Sequence, residues 1–158
     1  MPALVVADLH PLDAPLVLDT NIVLDWLVFR DPSSAALGRA ILAERAHWYA
    51  SQSMRDELEQ VLTRPAVFSR LTDLDAILSV WDRWVRPIAP ACAMPPPALR
   101  CTDPDDQKFI DLALQMGTAT LLSRDRAVLR LARPARLRGV QILTAAACAA
   151  NNSFGLRD

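Results

Sequence analysis

Two acidic residues each follow a short apolar run, at points where a strand could end and a helix begin. Asp19 follows residues 16–18, and Asp125 stands shortly after residues 119–122. Reactive groups of parallel α/β sheets gather outside the carboxyl ends of the strands. If these two strands are parallel neighbours, we expect the two carboxylates to face each other.

A third acid with a possible chemical role is Glu57, in a run whose apolar residues recur at helical spacing. At about 100° per residue, Glu57 falls on the border of the apolar stripe, whereas Asp56 and Glu59 lean outward. Of these three acids, only Glu57 is expected to reach inward. The alternative is a boundary glutamate with a packed stem and a solvated head.

A fourth acid is Asp106, within the segment Asp103-Pro104-Asp105-Asp106. Asp103 fits a helix N-cap, Pro104 the first helical position and Asp106 the third, where an acid can bond back to the cap. Acids in the first turn of a helix also interact favourably with the helix dipole, which is an alternative explanation for Asp106. Asp125 has a similar one, with Ser123 as the predicted cap of its helix.

The four acids together favour a metal centre. Carboxylates packed in one pocket raise one another's pKa unless cations occupy it, and the hard divalent ions Mg²⁺ and Mn²⁺ prefer oxygen ligands. Such ions activate water and neutralise charge on a phosphate, so the predicted reaction class is metal-assisted phosphodiester hydrolysis. Asn21 and Ser123 are the predicted supports that orient these carboxylates or water. The predicted metal-binding and catalytic residues are Asp19, Glu57, Asp106 and Asp125.

The elements that must position these residues alternate between β-like and helical runs. Predicted strands cover residues 16–18, 48–50, 85–88, 119–122 and 140–143. Predicted helices cover residues 33–45, 53–63, 73–84, 104–116, 124–132 and 145–151. This alternation predicts an α/β fold with a mostly parallel sheet and helices on both faces. We expect one domain over residues 1–158, with an arm or extra strand over residues 1–14 and a stiff proline-rich connection at 90–97.

The amino-acid composition argues against several classes of site and protein. Three widely spaced cysteines and two histidines argue against a zinc site or a disulfide framework. No apolar run approaches the ~18 residues of a membrane span, and the start of the chain lacks a basic signal sequence, so we expect no membrane contact and a cytoplasmic protein. All but one of the 17 basic residues are arginine. Arginine suits phosphate recognition, although base composition of the genome is an equally good explanation.

In order and spacing, these motifs resemble the PIN domain. The residues that carry the resemblance are Leu18-Asp19-Thr20-Asn21-Ile22, the helix of Glu57, Asp103 to Phe109 with Leu112-Ala113, and Ser123-Arg124-Asp125. The chain is most similar to toxins of bacterial toxin–antitoxin systems related to the VapC ribonucleases, over residues 15–144. The resemblance implies a three-layer α/β/α sandwich and a Mg²⁺- or Mn²⁺-dependent ribonuclease, often homodimeric and neutralised by an antitoxin.

Carried over residue by residue, the resemblance assigns the four metal-binding acids to Asp19, Glu57, Asp106 and Asp125. It assigns small polar supports to Asn21 and Ser123, and Asp103 also fits a family position, where we interpret it as a cap with a secondary role. The chain departs from the family in the arm before Pro15 and in the Asp25-Trp26 pair. Asp25 lies one turn beyond Asn21 and could approach the pocket.

The predicted activity is an endoribonuclease that leaves a 5′-phosphate and a 3′-hydroxyl, a route that needs no 2′-hydroxyl and so does not exclude DNA. Arg124, Arg126 and Lys108 are the candidate contacts to substrate phosphate. Two other functions stay open: a catalytically silent RNA-binding module, and a phosphoryl-accepting receiver-like or phosphatase-like domain. The phosphatase version usually needs a second acid where Asn21 stands, which counts against it.

Overall fold

Five parallel strands form one sheet at the centre of the molecule. A computed structural model describes residues 14–90 and 99–151 of the chain. The strands are β1 (Leu16–Leu18), β2 (Trp48–Ala50), β3 (Val85–Pro87), β4 (Thr120–Leu122) and β5 (Gln141–Leu143). Their order is β3-β2-β1-β4-β5, and every neighbouring pair is parallel. The predicted parallel sheet is confirmed, whereas nearly all of the predicted arm and of the proline-rich connection lies outside the described residues.

Helices connect the strands and cover both faces of the sheet, which confirms the three-layer α/β/α architecture. The helices in chain order are α1 (Thr20–Leu27), α2 (Ala35–Leu42), α3 (Gln52–Leu62), α4 (Pro65–Phe68), α5 (Leu74–Trp84), α6 (Gln107–Met116), α7 (Arg126–Leu129), α8 (Ala132–Arg136) and α9 (Ala145–Asn151). Short 3₁₀ turns at Pro32–Ser34 and Pro104–Asp106 precede α2 and α6. None of the helices within the described residues is long and apolar enough to cross a membrane.

The sheet is central because its strands are apolar on both faces. All three residues of β1 and all three of β4 are buried, as expected for parallel strands that are covered on both sides. β3 is one of the two edge strands and is largely exposed, and it accommodates Pro87, which cannot donate a ladder hydrogen bond. The interior strands β1 and β4 are therefore covered on both faces, and the first and last acids of the predicted centre follow them.

A tryptophan cluster anchors β2 against the surrounding helices. Trp48 is fully buried and meets Trp26 and Trp81 edge-to-face, with ring centroids 5.9 and 4.8 Å away. On α2, Gly38 lies under the Trp26 indole, and a Cβ at that position would come within 2.7 Å of Cε2 of the ring. The helix needs glycine here because only a residue without a side chain allows this approach.

Two predicted helices differ from the structure. The helix predicted over residues 124–132 is replaced by α7 and α8, because Pro134 lacks an N–H group and its ring would clash with the Arg130 carbonyl in a continuous helix. The helix predicted over residues 33–45 begins as a 3₁₀ turn and ends at Leu42, shortly before Glu44 adopts a positive φ of 59°. The short helix α4 was not predicted.

Candidate metal centre

Asp19 and Asp125 are brought together by the register of β1 and β4. Leu18 pairs with Leu122, and the Asp19 backbone N–H donates to the Leu122 carbonyl at 2.9 Å. Asp19 is 3% exposed. Burial raises the pKa of Asp19, and the charges of Glu57 and Asp125 raise it further, while a hydrogen bond from Ser123 opposes them.

Ser123 joins these two acids. Its hydroxyl donates to Oδ2 of Asp19 at 2.7 Å and accepts the backbone N–H of Asp125 at 3.0 Å. The prediction that Ser123 caps the following helix is wrong: Asp125 is the N-cap of α7, and its Oδ1 accepts the Ala127 N–H at 2.9 Å. Since Ser123 is fully buried, it fixes Asp19 and the start of α7 relative to each other.

The segment before α6 supplies two more acids. Asp103 caps the 3₁₀ turn Pro104–Asp106, with Oδ1 accepting the Asp105 N–H at 3.0 Å. Asp103, Asp106 and Asp125 each place a carboxylate oxygen within 4.8 Å of the other two. This acidic triad includes Asp103, to which the sequence interpretation gave mainly a capping role.

Within the triad, Asp106 has a strongly perturbed carboxyl group. Burial, together with the nearby Asp19 and Asp125 carboxylates, raises the pKa of Asp106 to about 7. Its Oδ2 atom is buried and has no hydrogen-bond partner among the described residues. A buried, unpartnered carboxylate oxygen beside other acids is costly unless a cation or a proton neutralises it.

Glu57 lies in the same crevice with a different set of partners. The Thr20 hydroxyl donates to its Oε2 atom, and the Lys108 ammonium lies 2.9 Å from its Oε1 atom. The carboxylate is therefore turned inward and paired, which excludes the alternative of a solvated boundary glutamate. Thr20 was missed as a functional residue, although its place directly after Asp19 was a usable signal.

Asn21 is the remaining predicted support. It lies in the first turn of α1, and its Oδ1 atom is buried without a hydrogen-bond partner among the described residues. Buried polar atoms are normally satisfied, so the unpartnered oxygens of Asn21 and Asp106 call for an additional donor or a cation. Carboxylate and amide oxygens of this kind are ligands suited to a hard divalent ion.

The candidate phosphate contacts have three different environments. Arg124 is exposed, and its Nε lies 3.0 Å from Oδ2 of Asp25, a buried acid on α1. Arg126 is exposed on α7. Lys108 does not extend into solvent as a free cation, because it is bound to Glu57 and to the Asp105 carbonyl at 2.6 Å.

The Asp25 carboxyl group is paired with Arg124, the residue that directly precedes Asp125 in the chain. Burial raises the pKa of Asp25, whereas the Arg124 charge lowers it. The structure shows Asp25 in an ion pair with Arg124, and its approach to the pocket stays a prediction.

Comparison with known proteins gives one assignment. The sequence model of the PIN domain family matches residues 15–127, which is more than half of the chain. A search of curated proteins found no match. The matched region contains the strands β1 to β4 and all of the acids described above.

Proposed function

Because the chain belongs to the PIN domain family, a fold that generally serves nucleases, we propose that it is a divalent-metal-dependent endoribonuclease. One observation carries this proposal. Asp106 places a buried, unpartnered oxygen within a triad of carboxylates, where only a cation or a proton can balance the charge. Near neutral pH, a divalent cation is the better partner for several carboxylates at once.

The residues suited to hold Mg²⁺ or Mn²⁺ are Asp19, Glu57, Asp106 and Asp125, together with Asp103. When bound, the ion supplies the positive charge that activates water and stabilises charge on the scissile phosphate. Ser123 holds the Asp19 carboxylate through its hydroxyl, and Thr20 does the same for Glu57. These hydroxyl donors fix the orientation of the carboxylates before any ligand arrives.

Substrate phosphate would be held at the rim by Arg124. Its guanidinium is anchored through Nε to Asp25, and more than half of its side chain is exposed. An anchored arginine presents its remaining N–H groups to a phosphate with less loss of side-chain freedom. Arg126, the first residue of α7, would be a second contact to the RNA backbone.

The same proposal includes a biological setting. The resemblance to VapC-related toxins supports the toxin of a toxin–antitoxin pair, active in the cytoplasm, homodimeric and neutralised by a cognate antitoxin. Induced expression is expected to arrest bacterial growth, and Asp19→Asn is expected to relieve the arrest. Growth arrest that is equally strong with Asp19→Asn would contradict a toxicity based on RNA cleavage.

Cleavage of a panel of structured and single-stranded RNA and DNA, with Mg²⁺, Mn²⁺ or EDTA, tests the enzymatic function. We expect metal-dependent cutting of RNA, lost by about 100-fold or more in Asp19→Asn. Asp82→Asn, the same chemical change on an exposed helix face, is the matched control and should cut normally. Full activity of purified Asp19→Asn would refute the proposal, and tight RNA binding without cleavage under any metal would favour a silent binding module.

A further inference from the structure

Glu57 differs from Asp106 because both of its carboxylate oxygens already have partners. Oε2 accepts from the Thr20 hydroxyl, and Oε1 is paired with Lys108 at 2.9 Å. By contrast, Asp106 in the acidic triad keeps a buried oxygen without any partner among the described residues. The crevice thus has one side that is neutralised by the protein and one side that is not.

The Lys108 ammonium is held in place by more than its ion pair. Its Nζ atom also donates to the Asp105 carbonyl at 2.6 Å and lies 5.0 Å from the centroid of the Phe109 ring. The side chain is 27% exposed, so it is partly shielded from solvent. Lys108 therefore joins Glu57 on α3 to the turn that carries Asp106, and it does so with a positive charge.

We propose that Lys108 is a built-in counter-ion that competes with the metal for Glu57. The inference rests on the proposed metal-dependent function. A divalent cation binds first on the side of the acidic triad, and Glu57 becomes a ligand only when the ammonium leaves Oε1. Lys108 thereby lowers the affinity for the metal and keeps the metal-free crevice from accumulating uncompensated charge.

Titration of the folded protein with Mn²⁺, followed by calorimetry or by the electron paramagnetic resonance of free Mn²⁺, tests this competition. Lys108→Met keeps most of the unbranched side chain and removes the charged ammonium, and we expect its Kd for Mn²⁺ to fall about tenfold. Lys108→Arg keeps the charge and is expected to stay within about threefold of the wild type. These expectations follow because a cationic competitor raises the apparent Kd of the ion it opposes.

Thermal melting separates competition from a purely structural role. Without metal, Lys108→Met should melt about 3 to 5 °C below the wild type, because Glu57 loses its counter-ion beside other acids. With saturating Mn²⁺ the difference should disappear, since the metal replaces the lost charge. A lysine that only holds the fold together would leave the same deficit with and without Mn²⁺.

Arg55→Met is the matched control, because it also removes one cation that is paired with a glutamate of α3, but on the face away from the crevice. Its Mn²⁺ affinity should not change. Folded Lys108→Met with unchanged or weaker Mn²⁺ binding would overturn the inference while leaving the proposed function intact. Absence of Mn²⁺ binding in the wild type and in every variant would overturn both.

Discussion

Helix α3 carries two glutamates, two residues apart, in opposite electrostatic surroundings. Glu59 lies on the outer face, where Arg55 pairs with it and also holds Asp82 through Nε at 2.8 Å and Nη2 at 3.0 Å. Glu57 faces the crevice and lies near Asp19, whose pKa burial raises. On the outer face, the hydrogen bonds from Arg55 instead lower the pKa of Asp82.

The comparison shows that the same residue type is matched by a cation on the outer face of α3 and lies beside a cluster of other acids on the crevice face. The outer acids Glu59 and Asp82 are exposed and paired with one guanidinium, which lowers the pKa of Asp82 without any further ligand. The crevice acids outnumber the one ammonium that faces them, and Asp106 has a pKa raised to about 7. Raised carboxyl pKa values in a cleft, together with unpartnered oxygens, distinguish a ligand site from an ordinary charged surface.

The largest effect on the contrast between the two faces is expected from Asp106→Asn, which removes one negative charge from the crevice. We expect metal-dependent cleavage to fall by about 100-fold or more, because the buried carboxylate oxygen is lost as a ligand. We expect the metal-free protein, in contrast, to become more stable at pH 8, because a buried negative charge beside Asp19 and Asp125 is removed. The gain in the free energy of unfolding is about 1 to 2 kcal/mol, since solvent at the mouth screens part of the effect.

Cleavage assays and chemical denaturation in EDTA measure the two effects. Asp82→Asn is the control on the outer face, and it should cleave normally and show no gain in stability. A metal-free Asp106→Asn protein that is less stable than the wild type at pH 8 would mean that the Asp106 carboxylate is stabilised by the fold itself.

Acids of the crevice and of the outer face should also differ in how they make the stability of the protein depend on pH. Between about pH 4 and pH 7 the folded protein keeps a proton on Asp106 that the unfolded chain has already released, so stability should fall as pH rises through this window. Asp82, whose folded-state pKa is lowered, acts in the opposite sense: its contribution is present above the unfolded pKa and is lost as pH falls below it. Asp106 and Asp82 therefore change the free energy of unfolding in opposite directions as pH rises.

Urea denaturation at a series of pH values, in EDTA, should show the decline between pH 4 and pH 7 in the wild type. Asp106→Asn should flatten it, and saturating Mn²⁺ should reduce it in the wild type, because a bound cation favours the ionised carboxylate. An unchanged decline in Asp106→Asn would assign the titration to a different group.

The position of Asp19 and Asp125 at the ends of strands could be predicted from the sequence, because strand ends are local features. The apolar run before Asp19 and the one before Asp125 each predict a buried strand, and parallel pairing then brings their carboxyl ends together. The helical period around Glu57 predicted its inward direction for the same reason. The local sequence could also have shown the break between α7 and α8, because Pro134 in the first turn of α8 cannot donate to the Arg130 carbonyl.

The partners of Glu57 could not be predicted, because they come from distant parts of the chain. Lys108 is 51 residues from Glu57, and Thr20 is 37 residues from it. Nothing in the polar turn around Lys108 indicates that its ammonium would bind a carboxylate of another helix. Which acid is neutralised and which is left unpartnered depends on three-dimensional packing that a single sequence does not display.

The smallest expected effect comes from Arg55→Met, which removes the cation of the outer face. Exposed ion pairs contribute little, so the melting temperature should fall by only about 1 to 3 °C, and cleavage and Mn²⁺ affinity should stay within about twofold of the wild type. Glu59 and Asp82 lose their partner but remain in water, whereas Glu57 without Lys108 would remain among other acids. If Arg55→Met changed Mn²⁺ affinity as much as Lys108→Met, the crevice would respond to the net charge of the molecule, and the contrast between the two faces of α3 would fail.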